Sequence, residues 1–355
     1  GVMTLPGIAA LPSLELNDSL SDSFTRTWDH GPDGLLHHFA TGIQISHRGF
    51  AGAAGPHVDR GDGEWDPEEI EIDLFDALGR GACGLVVRGR HKPTGTELAV
   101  KVVRLEQKEK REQLLKDLKA LYEHRTGGLR CPFLVRCHTA YVHRESGAVH
   151  IALELMGFGS LADVKALLPV DTGTPESVLS LTTMQVIEAV KHLHLSQTLH
   201  RDIKPGNILI NHEGVVKLTD FGISRDLDTT SGLCETFVGT STYMSPERAQ
   251  GAEYSYPSDI WSIGMVMIEL ASGEYPFPAV NSFTLLYDLL CNKPPPRLDP
   301  MRFSPYLCSF VEGCLQKNPR DRGSAIALQT HPFLLTNVAS QHELVLWLKN
   351  LKPRP

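Results

Sequence analysis

The stretch His200-Arg-Asp-Ile-Lys-Pro-Gly-Asn207, followed by Asp220-Phe-Gly222, is the part of the sequence that decides its interpretation. It places a Lys two residues and an Asn five residues after the first Asp, and a second Asp follows eighteen residues after it. Carboxylate and amide oxygens are the ligands that a hard cation such as Mg²⁺ takes. A solvated charged loop is the alternative, but the intact spacing disfavours it.

A glycine-rich stretch lies upstream of this string. Gly79-Arg-Gly-Ala-Cys-Gly84 falls between two predicted strands, and glycines let backbone amides approach a phosphate without a Cβ atom in the way. The strand–turn–strand setting argues against a dinucleotide-binding turn, which would lead from a strand into a helix. Lys101 follows Gly84 by seventeen residues within Leu98-Ala-Val-Lys101, and these apolar neighbours argue against an ordinary surface lysine.

The rest of the chain falls into three parts. Residues 1–69 are rich in small and polar residues, which predicts a flexible extension with one strand at Gly42-Ile-Gln-Ile45. Residues 70–156 alternate as strands do and contain one helix, whereas residues 157–335 are mostly helical. A last helix is expected in residues 336–355. Strands followed by helices predict an α+β domain of two lobes.

The overall composition limits the classes of function. The 355 residues carry a formal net charge of -8, which argues against a nucleic-acid-binding surface. The most apolar run, residues 260–272, is too short for a membrane span and is interrupted by Glu269. Seven cysteines without a CxxC pair, and an N-terminus without a basic signal region, favour a cytoplasmic protein.

These strings resemble eukaryotic protein kinases, and longer stretches resemble the dual-specificity MAP kinase kinases over about residues 70–352. The stretches are Leu78–Val86 with Arg90–Lys101, Phe237–Arg248, and Ser258–Met265 with Glu269–Pro278. Tyr243-Met-Ser-Pro-Glu-Arg248 discriminates best among them. The resemblance implies an antiparallel-sheet N-lobe with one helix, a mostly helical C-lobe, and an enzyme that uses ATP and Mg²⁺.

The resemblance also implies a role for each motif residue. Asp202 would orient the substrate hydroxyl, Lys204 would neutralise the transferred phosphoryl group, and Lys101 would reach the α- and β-phosphates. Asn207 and Asp220 would hold Mg²⁺. The whole nucleotide-binding set would comprise Leu78, Gly79, Gly81, Gly84, Val86, Ala99, Lys101, Leu153, Glu154, Met156, Asn207, Leu209 and Asp220. Two structural roles are implied as well: Asp259 would anchor the catalytic loop, and Glu247 would pair with Arg322.

The catalytic partner of Lys101 departs from the usual pattern. Kinases normally pair this lysine with a Glu of the first helix, but sixteen residues after Lys101 the chain has Asp117. Glu112 lies about a turn and a half earlier on the predicted helix. Several members of the resembled family carry the same Leu-Leu-x-Asp-Leu pattern, so we predict that Asp117 is the partner.

Two threonines are the predicted activation sites. Such kinases are switched on by phosphorylation of the loop after Asp220, and Arg201 would bind the phosphorylated loop. Counting back from Thr236, the four-residue spacing of animal members ends on Gly232, whereas the six-residue spacing of plant members gives Thr230. We therefore predict phosphorylation of Thr230 and Thr236, with Ser231 in reserve and ordinary loop threonines as the alternative.

The implied activity is ATP-dependent phosphorylation of Thr and Tyr in the Thr-x-Tyr loop of a downstream MAP kinase, after activation by an upstream MAP kinase kinase kinase. One alternative is another kinase of the same broad group, such as a MAP kinase kinase kinase. Another is a pseudokinase scaffold, which the intact motif residues disfavour. No nucleic acid or membrane partner is expected, and the oligomeric state stays open. The apolar spacing in Ile8–Leu16 matches a nuclear-export signal or a plain extension, so nuclear shuttling also stays open.

Overall fold

The computed structural model divides into two compact units. The first comprises residues 1–114 and 137–154, and the second comprises residues 115–136 and 155–355. The structure describes residues 28–30, 36–38, 43–46, 49–51, 65–81, 84–104, 114, 118, 131–169, 172–220, 243–278 and 282–351.

The first unit begins with a small antiparallel sheet, which we call the meander. Its strands lie in sequence order and are β1 (Trp28–His30), β2 (Leu36–His38), β3 (Ile43–Ser46) and β4 (Gly49–Ala51). Strand β3 is the strand predicted from the sequence, whereas the other three were expected to belong to a flexible extension. Strands of three residues are too short to show a periodicity of two, which is why the pattern did not reveal them.

A five-stranded antiparallel sheet forms the body of the first unit and confirms the predicted N-lobe. The sheet has the order β5-β6-β7-β9-β8, so β8 is an edge strand. Both β3 and β4 of the meander contact β8. The strands are β5 (Ile70–Gly81), β6 (Gly84–His91), β7 (Glu97–Val103), β8 (Cys137–Val142) and β9 (Val149–Glu154).

Strand β7 shows how this sheet separates its two faces. Leu98 and Val100 alternate with Ala99 and Lys101, and alternate residues of a strand point to opposite faces. The first pair is fully buried in an apolar cluster with Ile70, Val87, Tyr141 and Ala152. Ala99 and Lys101 therefore share the other face of the sheet.

The second unit is mostly helical, as predicted for the C-lobe. Its core is one apolar cluster to which nearly every helix contributes, and its two short strands pair with each other. In chain order the elements are α1 (Leu161–Leu167), α2 (Glu176–Leu195), β10 (Ile208–Ile210), β11 (Val216–Leu218), α3 (Pro246–Ala249), α4 (Tyr256–Ser272), α5 (Phe283–Tyr287), a π-helical turn (Asp288–Asn292), α6 (Pro305–Cys314), α7 (Ala325–Leu328), α8 (Pro332–Leu335) and α9 (Gln341–Asn350).

Helix α4 runs through the core of this unit. It begins at a capping box on Ser255 with a proline in its first turn, and it ends at Gly273, whose φ of 83° is the left-handed conformation that glycine adopts readily. Every residue from 258 to 271 is buried. The ionisable side chains of Asp259 and Glu269 on α4 therefore need partners within the protein. No helix among the described residues has the length and apolar character to cross a membrane.

Candidate active site

The catalytic loop brings three of the predicted residues together. It runs from His200 to a 3₁₀ turn at Pro205–Asn207 that leads into β10. The Oδ2 atom of Asp202 accepts hydrogen bonds from Lys204 Nζ at 2.7 Å and from Asn207 Nδ2 at 2.9 Å. Asn207 Nδ2 also donates to the carbonyl of Asp202 at 2.8 Å. A carboxylate, an ammonium group and an amide thus converge on one point.

Asp259 of α4 holds this loop in place, as the resemblance implied. Its buried carboxylate accepts the backbone N–H groups of His200 at 3.0 Å and Arg201 at 2.9 Å. His194 Nε2 and the hydroxyl of Tyr254 contact the same carboxylate, both at 2.9 Å. Burial alone would raise the pKa of Asp259, but the hydrogen bonds from His194 and from the backbone N–H of Arg201 lower it. The group is therefore a carboxylate, and it fixes Arg201 at a φ of 70°.

His200 connects the catalytic loop to the second predicted metal ligand. Its ring is fully buried, and burial lowers its pKa, so the imidazole is neutral. Nε2–H then donates to the carbonyl of Thr219 at 3.0 Å, while Nδ1 accepts the N–H of Asp202 at 3.3 Å. The N–H of Thr219 donates to the carbonyl of Asn207 at 3.0 Å. Asp220, at a φ of 57°, is thereby tethered next to the loop.

The oxygen atoms of this region fit a magnesium ion that also binds phosphate. Because the amide nitrogen of Asn207 donates to Asp202, its amide oxygen is the atom left for a cation, and Asp220 adds a carboxylate. Among the described residues no group of three or more His, Cys, Asp or Glu could hold a metal ion. One amide oxygen and one carboxylate suit Mg²⁺, because Mg²⁺ usually keeps several waters and takes substrate phosphate oxygens as well.

The first unit carries four of the predicted nucleotide residues on one face of its sheet. Lys101 lies opposite Val86 of β6, and Ala99 lies opposite Leu153 of β9. Residues opposite each other across a ladder share a face, so these four side chains line the face that the apolar cluster does not use. Lys101 is buried there.

The glycine-rich stretch joins β5 to β6. Gly79 lies opposite Val86, and Gly81 lies opposite Gly84. A Cβ atom on Gly84 would lie 2.3 Å from the carbonyl oxygen of Val102, and its φ of 136° is also one that side chains rarely adopt. Only glycine fits at Gly84. Leu78, just ahead, is exposed.

The remaining predicted residues fall in three places. Glu154 ends β9 in the first unit, whereas Met156 and Leu209 belong to the second unit. Leu209 forms an isolated bridge with Ser160, and the carbonyl of Met156 accepts the N–H of Gly159 at 2.9 Å. Asp117, Thr230 and Thr236 lie outside the described residues, so these three assignments stay predictions.

The pair between Glu247 and Arg322 is confirmed, and further contacts were not foreseen. Nη1 and Nη2 of Arg322 donate to Oε1 and Oε2 of Glu247, both at 2.6 Å. His194 and Tyr254 were not predicted from the sequence as partners of Asp259. No contact was predicted for Glu269 either, although a single carboxylate within an apolar helix is itself a signal of a buried polar contact.

Comparison with known proteins gives a consistent result. The family model "Protein kinase domain" matches residues 72–334. Mitogen-activated protein kinase kinase 1 of Arabidopsis thaliana is 38% identical over 338 residues, which are 93% of this chain and 91% of that protein. Dual specificity mitogen-activated protein kinase kinase dSOR1 of Drosophila melanogaster is 34% identical over 81% of this chain and 76% of its own length. Mitogen-activated protein kinase kinase 3 of Arabidopsis thaliana is 37% identical over 97% of this chain, which spans only 65% of that relative.

Proposed function

The chain belongs to the protein kinase family and within it to the MAP kinase kinases, and from that premise we propose that it transfers phosphate from ATP to the Thr and Tyr of a MAP kinase Thr-x-Tyr loop. The observation that carries the proposal is the convergence of Lys204 and Asn207 on the carboxylate of Asp202, in a loop fixed by Asp259. A scaffold without activity has no need of this arrangement.

The residues of the catalytic loop divide the chemistry among themselves. Asp202 would accept the hydrogen bond of the substrate hydroxyl and direct its oxygen toward the phosphorus. Lys204 lies next to it and would balance negative charge on the phosphoryl group during transfer. The hydrogen bonds from Asn207 and Lys204 hold the Asp202 carboxylate in one orientation before substrate arrives.

Residues for binding the nucleotide are predicted in each unit. Lys101 would bind the α- and β-phosphates, and Asn207 and Asp220 would bind Mg²⁺. When bound, ATP would supply the phosphoryl group, and Mg²⁺ would neutralise its negative charge. Backbone amides of the Gly79–Gly84 stretch suit phosphate oxygens, since glycine leaves the backbone accessible.

Regulation and location complete the proposal. An upstream MAP kinase kinase kinase would phosphorylate Thr230 and Thr236, and Arg201 of the catalytic loop would bind the added phosphate. The protein would act in the cytoplasm. Residues 1–20 fused to a nuclear reporter test the open question of shuttling, because an export signal would move the reporter out of the nucleus.

The test uses the Thr230→Asp/Thr236→Asp protein, Mg²⁺–ATP and a catalytically inactive MAP kinase, with phosphates mapped by mass spectrometry. We expect phosphate on both Thr and Tyr of the Thr-x-Tyr loop. Asp202→Ala should abolish it, whereas the control Asp288→Ala, on an exposed part of the π-helical turn, should leave it unchanged. Transfer to a general substrate but not to this loop would indicate another class of kinase. No transfer at all would favour the scaffold.

A further inference from the structure

A chain of three polar side chains connects α1, α4 and Tyr243, and we call it the Lys165 clamp. Lys165 of α1 donates from Nζ to Oε1 of Glu269 at 2.5 Å. The hydroxyl of Tyr243 donates to Oε2 of the same carboxylate. Each oxygen of Glu269 thus serves one partner. The three residues are widely separated in sequence, and the fold brings them together within the second unit.

Lys165 provides the positive charge that stabilises the buried carboxylate of Glu269. The carboxylate belongs to the apolar core helix α4, and its side chain is almost completely buried. A buried carboxylate is costly unless it has both an opposite charge and hydrogen bonds. Tyr243 supplies a neutral hydrogen bond, whereas Lys165 supplies the compensating charge. Without Lys165 the carboxylate would have no counter-charge inside the protein and would turn toward water, which would weaken the hydrogen bond that Tyr243 makes.

Tyr243 is held at two points. Its side chain is bound by Glu269, and its backbone carbonyl accepts a hydrogen bond from the Ser262 hydroxyl at 2.9 Å. Burial, together with the charge of Glu269, raises the pKa of Tyr243 above its ordinary value, so its phenol stays a hydrogen-bond donor. The ring of Tyr275 packs edge-on against it at 5.7 Å. The position of Tyr243 therefore depends on the orientation of the Glu269 carboxylate.

The same face of α4 holds both Tyr243 and the catalytic loop. Asp259, Ser262 and Glu269 are spaced by three and seven residues, which places them along one side of a helix. Asp259 binds the backbone of the catalytic loop, and the other two bind Tyr243. The backbone of Tyr243 is therefore held about one helical turn along α4 from the residue that anchors the loop carrying Asp202. This proximity makes the segment that starts at Tyr243 a candidate surface for a protein that presents a hydroxyl to Asp202.

We propose that Lys165 is a positioning residue for the protein substrate, acting through Glu269 and Tyr243 on the segment 243–245. The proposal rests on the proposed function, because it assumes a protein substrate whose hydroxyl reaches Asp202. Lys165 touches neither nucleotide residues nor the catalytic loop in the contacts described, so its effect should appear in binding of the protein substrate and not in binding of ATP.

The test compares Lys165→Met with Lys191→Met in the full chain, activated by Thr230→Asp/Thr236→Asp. Lys191 is a matched control, because it also pairs with a carboxylate, Glu188, at 2.6 Å, and its side chain is 22% exposed against 26% for Lys165. We expect Lys165→Met to raise the KM for the MAP kinase substrate about tenfold, the effect of losing a charged hydrogen bond, with the KM for ATP unchanged. Lys165→Arg should restore the KM, and Lys191→Met should leave it as in the parent.

Several results would overturn the proposal. One is a KM for the MAP kinase substrate that is the same in Lys165→Met as in Lys191→Met. Another is an equal rise in the KM for the MAP kinase substrate and the KM for ATP in Lys165→Met, which would mean general damage to the fold. If Lys165→Met fails to fold, Tyr243→Phe breaks the same connection with a smaller change in charge. It should raise the KM for the protein substrate alone, and an unchanged KM would refute the proposal.

A second readout separates this proposal from the proposed function. Backbone amide hydrogen exchange is measured by mass spectrometry over residues 243–250 in both lysine variants. Exchange that is faster in Lys165→Met than in Lys191→Met supports the positioning role even if the parent protein phosphorylates no Thr-x-Tyr loop. In that case only the proposed function fails. Equal exchange in the two variants contradicts the positioning role whatever the substrate is.

Discussion

Arg322 is the clearest example of how single residues stabilise this fold. Its side chain is fully buried, and its two terminal nitrogens donate to the two carboxylate oxygens of Glu247 at 2.6 Å. Its guanidinium also lies over the ring of Trp261 at 5.1 Å. Burial alone would raise the pKa of Glu247, but the hydrogen bonds and charge of Arg322 lower it. The pair is therefore ionised inside the protein.

Removing one member of this pair should be strongly destabilising. Arg322→Met leaves a buried carboxylate without its counter-charge, and we expect a loss of about 3–5 kcal/mol in the free energy of unfolding. Urea unfolding followed by circular dichroism measures it. Arg297→Met is the control, because Arg297 pairs with Glu312 at 3.2 Å but is 72% exposed, where such a pair contributes about 1 kcal/mol or less. Equal losses in the two variants would contradict this explanation.

The sequence predicted some of these contacts and not others. The Asp259 anchor and the Glu247–Arg322 pair belong to motifs shared with a large family, so resemblance was sufficient to assign them. The contact between Lys165 and Glu269 spans 104 positions, and Lys165 belongs to no motif quoted from the sequence. Only the fold brings these two residues together, because a pairing at that separation is set by tertiary packing and leaves no local pattern.

Among the elements, the meander is the least expected. It contacts β8, the edge strand of the larger sheet, and edge strands carry unpaired backbone groups that proteins usually cover. Ile45 of β3 is fully buried, although it belongs to a part of the chain without apolar periodicity. The longer elements were easier to predict: α2 and α4 have apolar residues throughout and carry recognisable helix boundaries. Three short strands with few apolar residues carry no such signal.

Ile45 tests whether the meander is part of the folded first unit. Ile45→Ala removes buried methyl and methylene groups, and we expect it to lower the free energy of unfolding by about 2–4 kcal/mol. Ile326→Ala makes the same chemical change on α7, where the side chain is 57% exposed, and should cost less than about 0.5 kcal/mol. Chemical denaturation of both variants provides the comparison. A small effect at both positions would mean that the meander does not contribute to stability.

Replacing two helical glycines by alanine should change the stability of the protein in opposite directions. A Cβ atom on Gly264 of α4 would lie 2.8 Å from Cβ of Cys314 and from the Leu315 side chain, which are both buried. Gly264→Ala should therefore destabilise by about 1–3 kcal/mol through overpacking. At Gly313 of α6, no described atom lies within 4 Å of a Cβ. Gly313→Ala should stabilise by about 0.5–1 kcal/mol, because alanine favours the helix. Thermal unfolding of both variants shows whether the signs differ.

At the scale of the whole molecule, the functional residues are divided between two units. Lys101 and the glycine-rich stretch belong to the first unit, and Asp202, Asn207 and Asp220 belong to the second. Motif spacing was sufficient to identify each of these residues, since the chemistry of phosphate and metal binding restricts residue type. It did not reveal how each is supported, because that depends on contacts made in the folded protein, such as those of Thr219 and Tyr254.

Both units contain groups whose charged or neutral state depends on burial, and this predicts how stability changes with pH. In the second unit the pKa of Asp259 is lowered, so its contribution is present above the ordinary pKa of an aspartate and is lost as the pH falls through the lowered value. In the first unit, burial and the nearby charge of His143 lower the pKa of His150 to about 4. Because folding lowers the pKa of His150, the folded state is most stable at a pH where this histidine is neutral. The protein then loses stability as the pH falls and the unfolded chain takes up the proton.

His150 should therefore make the first unit sensitive to mild acid. Between pH 6.5 and pH 4 the unfolded chain binds a proton at His150 that the folded chain does not, so stability falls by about 3 kcal/mol over this range. His150→Phe removes the titrating group and keeps a ring that can pack against His143 and Tyr141, with centroids at 4.7 and 5.4 Å in the parent. The difference in unfolding free energy between pH 7 and pH 4 should shrink by a similar amount in this variant, as measured by urea unfolding. The control is His342→Phe, at an exposed position of α9, and it should keep the pH dependence of the parent. If the parent, His150→Phe and His342→Phe all show the same pH dependence, the acid sensitivity belongs to other groups.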